Sequence, residues 1–279
     1  MSTKRRYPSD LTDEEWAILE LILFPPNPYR LGRKPTVNLR EVCNAIFYLT
    51  KTGCQWKYLP KDFPPPSTVN YYHTKWIHNG LWEKANQVLR ECCRQQAGRN
   101  REPSAGIIDS QSVKGSSESG GEESGFDGFK RVKGRKRHII TDTMGYVLIA
   151  LVHSAHLVDT SMAQHVVSKL LETVDTLKVI FADGGYMSGF INWCAENTSI
   201  AVEVVKRNGR GFKVLPKRWV VERTFGWLSR QRRLSRDYER SPKTSETMIY
   251  ISMTKLMLQH LCPQEKIWKI KVLPETVTA

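Results

Sequence analysis

The sequence predicts a mixed α/β sheet with helices on its faces, preceded by an all-helical region over residues 1–100. Three observations carry this. Apolar residues recur at helical spacing throughout the first hundred positions. A polar, breaker-rich stretch, Ala97-Gly98-Arg99-Asn100-Arg101-Glu102-Pro103-Ser104, then marks a boundary. Beyond it, short apolar runs of strand length alternate with amphipathic segments.

In the helical region, Thr12-Asp13-Glu14-Glu15 fits a capping box, with Trp16, Leu19 and Leu23 following on one face. A second helix is predicted after Asn38, with Glu41 in its first turn and Val42, Ile46 and Leu49 facing inward; Gly53 ends it. Pro64, Pro65 and Pro66 force an extended break before Ser67, a candidate N-cap. The third helix turns Val69, Tyr72 and Trp76 inward and leaves Asn70, Thr74, Lys75 and His78 to solvent. A fourth runs from Leu81 towards Arg94. A basic, aromatic helix after a turn suggests a DNA-reading module, with Asn70 and Lys75 as contacts. A bundle whose aromatics serve only the core would show the same periodicity.

In the second part, 106–110 reads as a strand running into Asp109, and 115–128, rich in Ser, Gly and Glu, as a mobile loop. Segments 138–141 and 146–152 read as a hairpin around Asp142-Thr143-Met144-Gly145. A helix over 159–174, a buried strand over 179–182, a short helix over 190–196 and a strand over 201–205 follow. A long helix over 218–234 and an apolar helix over 245–261 complete the order, which suits a ribonuclease-H-like fold.

The balance of 42 Lys+Arg against 28 Asp+Glu leaves +14, a surplus suited to a polyanionic partner. No apolar run reaches the ~18 residues of a membrane span, and Pro8-Ser9-Asp10 follows the basic start where a signal peptide would be apolar. The expected location is therefore cytoplasmic. Six cysteines form no C-x-x-C pair and show no zinc spacing, which favours reduced structural thiols.

Three acids stand out. Asp109 follows Ile107-Ile108 and precedes small polar residues that would not cover it. Asp183 ends a buried strand and precedes Gly184 and Gly185, although Asp-Gly is also a favoured turn pair. Glu222 lies four residues after Arg218, on the same helical face. Arg207, Arg210, Lys213, Lys217, Arg223, Arg230, Arg232, Arg233 and Arg236 surround it with few acids, a pattern more suited to DNA phosphate than to a mixed-sign solvated face. Magnesium favours carboxylate oxygens, so a small acidic cluster inside a basic surface fits metal-dependent phosphodiester chemistry. The run Lys130-Arg131-Val132-Lys133-Gly134-Arg135-Lys136-Arg137 adjoins a predicted strand and is expected to touch the DNA backbone through Lys133, Arg135, Lys136 and Arg137. His138, His153 and His156 are expected in core or surface roles.

Read in order, these segments resemble the DDE transposases of bacterial insertion sequences, notably insertion sequence family five. The resemblance runs from Tyr7-Pro8-Ser9-Asp10-Leu11-Thr12 through Thr52-Gly53-Cys54-Gln55-Trp56 and Lys61-Asp62-Phe63-Pro64. It continues in Ile108-Asp109-Ser110-Gln111-Ser112-Val113-Lys114, Lys133-Gly134-Arg135-Lys136-Arg137-His138 and Ala182-Asp183-Gly184-Gly185-Tyr186. It ends in Arg218-Trp219-Val220-Val221-Glu222-Arg223-Thr224. It implies a ribonuclease-H-like catalytic domain over 101–279 and a helix-turn-helix-like DNA-binding domain over 1–100. It further implies Asp109, Asp183 and Glu222 as catalytic ligands of Mg²⁺, with Mn²⁺ as a substitute. The implied partners are the element's inverted-repeat ends and target DNA, bound by a homodimer, and the implied setting is the bacterial nucleoid. In the related Tyr-x2-Arg-x3-Glu-x6-Lys signature, Arg218 and Glu222 match, but Leu215 and Ser229 replace the Tyr and Lys, with Arg230 beside the latter. A nuclease without strand transfer, and a DNA-binding regulator derived from a transposase, are the competing functions.

Overall fold

The computed structural model describes residues 5–26, 36–116, 123–186, 189–205 and 217–263. Helix α1 (Asp13–Leu23) starts with the predicted capping box. The Glu15 N–H donates to Thr12 Oγ1 at 3.1 Å, and the Thr12 N–H donates to the Glu15 carboxylate at 2.9 Å. Asn38 caps α2 (Leu39–Thr52), and Gly53 ends it at φ +69°. A Cβ at Gly53 would meet the Arg232 backbone at 3.1 Å, so both conformation and space favour glycine there. Helix α3 (Pro66–His78) begins one residue before the expected Ser67 cap, with Pro65 as cap and Pro66 in the first turn. Proline suits that position because its missing N–H would have no partner. Helix α4 (Leu81–Gln96) follows, burying Trp82, Ala85, Leu89 and Cys93.

Strands β1 (Ala105–Lys114), β3 (Val132–Asp142) and β4 (Val147–Ser154) form an antiparallel meander, with β1 pairing β3 and β3 pairing β4. On the other side of β1, β5 (Val179–Ala182) and β6 (Ala201–Val204) add in parallel. Strand β2 (Gly125–Asp127) pairs with the start of β3. Side chains alternate across the sheet. Ile108, Ile140 and Ile180 meet α5 (Asp159–Leu171) and α6 (Gly189–Asn197), including Val166, Leu170 and Phe190. Ile107, Ile139 and Phe181 belong to the core that holds α7 (Arg218–Ser229), α8 (Pro242–Leu261) and the N-terminal helices. Helices thus cover both faces of a 4-3-1-5-6 sheet, the ribonuclease-H-like arrangement.

Helix α8 is buried on every side, through Met248, Ile249, Ile251, Met253, Met257 and Leu258. Each such side chain contributes ~1.5–3 kcal/mol on burial, so this helix anchors both regions. Buried polar pairs cross the same seam: Arg94 donates to Asp142 at 2.7 Å, and Lys255 to Glu15 at 2.6 Å. No described helix is long and apolar enough to cross a membrane.

Four expectations need correction. Strand β1 does not end at Ser110 but continues to Lys114, because β3 pairs with it as far as Gly134. Part of the expected loop is strand β2, where Asp127 accepts from Phe129 N–H and Lys130 N–H; residues 117–122 lie outside the described set. Helix α7 stops at Ser229, since Gln231 turns extended (φ −94°, ψ +116°) before a short 3₁₀ turn, Arg232–Leu234. Most importantly, β3 takes in the basic run, and Arg135, Lys136 and Arg137 are buried.

Candidate active site

Asp109 and Asp183 meet through strand register. Strands β1 and β5 run parallel with Ile107 beside Phe181, and two further residues bring Asp109 level with Asp183 on the same face. That face is the one α7 covers: Lys217, just before it, sets Nζ 3.6 Å from the Phe181 ring centre. Burial and the neighbouring Asp183 charge push the Asp109 carboxyl up to about 6, against the Ser110 N–H it accepts at 2.8 Å and the nearby Arg218 and Lys130. Asp183 is held by its own turn, accepting from the Gly185 N–H at 2.8 Å. The glycines do what their small size suggests, leaving this carboxylate open on its outer side: Gly184 and Gly185 are both exposed.

Helix α7 brings the third acid to the rim. Arg218 Nη2 lies 3.4 Å from Asp183 Oδ2 and 3.9 Å from Glu222 Oε1, bridging the two. Glu222 is 59% exposed, and among the described residues no three His, Cys, Asp or Glu side chains stand close enough to hold a metal ion. The three acids are therefore a carboxylate pair plus a rim glutamate, with an arginine between. A close acid pair that raises one member's pKa and draws in a guanidinium has unmet demand for positive charge, and its all-oxygen donor set fits a hard divalent cation.

Two groups behind the pair were not singled out by sequence. Tyr186 is buried, and its hydroxyl lies 2.9 Å from His138 Nε2, tying the Asp183 turn to β3. Lys130 Nζ donates to the Ser110 carbonyl at 3.2 Å, placing a cation beside Asp109. Tyr186 was visible only as part of its motif, and His138 serves as a core residue.

A family described as "Transposase DDE domain" matches residues 100–258, more than half of the chain. The chain belongs to the DDE transposases of insertion sequences. A second family, described as "Putative transposase of IS4/5 family", matches residues 11–86 of this transposase, covering the helical region. Two relatives come from Burkholderia cepacia. An "Insertion element IS402 uncharacterized 16.2 kDa protein" is 29% identical over 109 residues, covering 37% of this chain and 72% of that protein. A "Putative transposase for insertion sequence element IS402" is 33% identical over 122 residues, covering 38% of this chain and 54% of that protein.

The transposase's remaining expected DNA contacts separate into exposed and buried. Arg135 donates to the carbonyls of Glu239 at 2.9 Å and Arg240 at 2.8 Å and pairs with Asp237 at 3.3 Å. Lys136 donates to Asp159 at 2.9 Å and to the Leu157 carbonyl. Arg137 donates to the carbonyls of Leu234 and Arg236, and burial pulls it down to about 10. These three are buried and point their hydrogen bonds at the chain's own acceptors, which argues against contact with a phosphate. Lys133 and Arg230 remain exposed. Asn70 and Lys75 are also exposed on α3, but five residues apart they diverge by about 140° at 3.6 residues per turn. They line different clefts: Asn70 faces the segment before α8, and Lys75 faces Phe24 and Leu39. Leu215, Arg207, Arg210 and Lys213 lie outside the described residues.

Proposed function

We propose that this transposase cleaves DNA at the ends of its own insertion sequence and joins those ends to target DNA. The observation that carries the proposal is the Asp109–Asp183 pair, seated on adjacent parallel strands with Arg218 and Glu222 at its edge. Asp109, Asp183 and Glu222 would hold a divalent cation, Mg²⁺ or Mn²⁺. When bound, it would supply charge relief on the scissile phosphate and a more acidic nucleophile.

The chain's own residues set the rest. Asp109 lies mid-strand, paired with Ile139 on β3, and accepts from the Ser110 N–H, which gives its carboxylate a defined direction. Arg218 balances Asp183 and Glu222 in the free protein. As DNA enters, its guanidinium exchanges a carboxylate for a phosphate oxygen, a bidentate match that holds an end in line for attack. Glu222 is then released from the bridge and turns to the pair. The surrounding partners are double-stranded element ends and target DNA; a dimer would hold two ends together.

Cleavage of DNA carrying the element's ends is expected to require Mg²⁺ or Mn²⁺ and to stop with chelator. Asp109→Asn, Asp183→Asn and Glu222→Gln should each abolish cleavage and leave DNA binding largely intact. Full activity in any of them removes that residue from the site. Joining of a pre-cleaved end into plasmid separates a transposase from a bare nuclease. Arg218→Glu should lose joining while circular dichroism stays unchanged, and a wild-type chain that cuts but never joins would favour the nuclease.

A further inference from the structure

A second polar cleft, away from the carboxylate pair, lies between α3 and the segment that leads into α8. Its volume is about 660 Å³. One wall is a single face of α3, Asn70, Thr74 and His78, each four residues from the next. The opposite wall holds Arg240, with Ser241, Lys243 and Thr244 at the start of α8. Ser241 caps this helix, so the positive end of a 20-residue dipole opens into the cleft.

The charges sort themselves. Glu239 is taken by Arg233 at 2.7 Å, and Lys243 by Glu83 at 2.6 Å. Among the described residues the exposed Arg240 guanidinium has no acid partner, so it is the cation free to meet a ligand. Its backbone is fixed: the Arg240 carbonyl accepts from buried Arg135 at 2.8 Å.

An independent feature also points to a ligand. His73 lines the cleft, is 2% exposed, and neither of its ring nitrogens has a hydrogen-bond partner. Burial holds it near 4, so it stays neutral at pH 7 and presents one donor and one acceptor. A buried polar group left unpaired costs ~1–3 kcal/mol, a cost that a polar ligand in the cleft would offset.

We propose that this cleft seats one strand of bound DNA, a backbone phosphate resting on Arg240 and the α8 N-terminus while Asn70 and Thr74 face base edges. The inference rests on the DNA transposition proposed above and fixes which side of α3 the DNA follows. The DNA runs along the Asn70 side, and Lys75, on the opposite side, stays clear of it.

The test is fluorescence anisotropy of the whole chain with two labelled duplexes, one carrying the element's terminal repeat and one of random sequence, over a salt series. Arg240→Ala should reduce the slope of log affinity against log salt by about 1 for both duplexes, the signature of one lost phosphate contact. Asn70→Ala should lower the preference for the terminal repeat by roughly 5- to 100-fold, and Lys75→Ala should leave both quantities unchanged. All three side chains are exposed, and circular dichroism checks folding. An unchanged slope in Arg240→Ala, with wild-type binding intact, overturns the cleft and spares the transposase. No duplex binding by the wild type overturns both. A loss confined to Lys75→Ala puts the DNA on the other side of α3 and overturns the cleft. Inorganic phosphate that raises the melting temperature of the wild type but not of Arg240→Ala, with duplex binding unchanged, assigns the cleft to free phosphate and likewise overturns it.

Discussion

Replacing Arg135 by alanine separates two accounts of the basic run, because they predict opposite behaviour. As a phosphate contact, Arg135 would leave stability alone and contribute about 0.9 to the salt slope of DNA binding. Its position argues otherwise. The side chain is 1% exposed and pairs with an equally buried Asp237, and it supplies the Glu239 and Arg240 carbonyls with donors. Alanine keeps the Asp237 charge inside and removes one of its partners, and breaking a buried pair on one side costs about 3–5 kcal/mol. Two carbonyls lose a donor as well. Against a total stability of about 5–15 kcal/mol, such a loss is a large fraction. At about 1.4 kcal/mol per tenfold, it lowers the folded-to-unfolded ratio by more than a hundredfold. Urea unfolding followed by circular dichroism and tryptophan fluorescence reads the midpoint, and duplex binding over a salt series reads the slope. Lys133→Ala is the matched control: it is exposed, should move stability by about 0.5 kcal/mol or less, and is free to contribute to the slope. An Arg135→Ala protein with an unchanged midpoint and a salt slope lower by about one would refute the structural role.

Two further outcomes follow from backbone space and from titration. Gly134→Ala should fail to give soluble folded protein, because its Cβ would sit 2.1 Å from the Val113 carbonyl oxygen in the neighbouring strand; wild-type solubility and circular dichroism would contradict the tight β1–β3 contact. His73 is pulled from 6.5 to about 4 by burial, with the Arg233 charge acting in the same sense, so the unfolded chain takes up a proton before the folded one does. Stability is therefore lost as pH falls from 6.5 to 4, by about 3 kcal/mol at ~1.4 kcal/mol per pKa unit. His73→Phe should flatten that part of the urea-midpoint profile, and a profile as steep as wild type would remove His73 from the acid response.

Local signals read well wherever the deciding partner was close in sequence. Thr12 and Glu15, Asn38, and Gly53 announce helix ends through contacts two to four residues away. Asp183 was legible because an apolar run of strand length stops against it, as β5 does. The misread residues are those whose partners are remote. Arg135 meets Asp237 and Arg137 meets the Leu234 carbonyl, each about a hundred positions on, so the second half of a charge run expected on DNA is internal. The same holds for Glu222: its spacing from Arg218 was visible, but not that the arginine would span it and Asp183. Strand β2 escaped because three residues, with Gly and Asp among them, carry no periodicity.

The remote contacts converge on the connector between α7 and α8. Arg135 starts on β3, whose Ile139 stands opposite Asp109, and ends on the carbonyls of Glu239 and Arg240. Arg137 secures Leu234 and Arg236 on the same connector. The loop joining α7 to α8 is thus bolted to the strand that frames the carboxylate pair, while its far side faces α3 across the polar cleft. Helix α8, buried among α2, α4 and β4, carries that loop into the helical region. A cut near residue 100 would leave α2 and α4 without this helix and remove the partners of buried Phe47, Thr50 and Cys93, which meet Lys255, Met248 and the Met257 carbonyl in the whole chain. Packing therefore makes the helical region and the sheet two parts of one core. In the proposed binding mode, a DNA strand seated against α3 would be tied to the strand of Asp109 through this packing. Such a shared core would suit the proposed reaction, in which a DNA end is kept bound between cutting and joining.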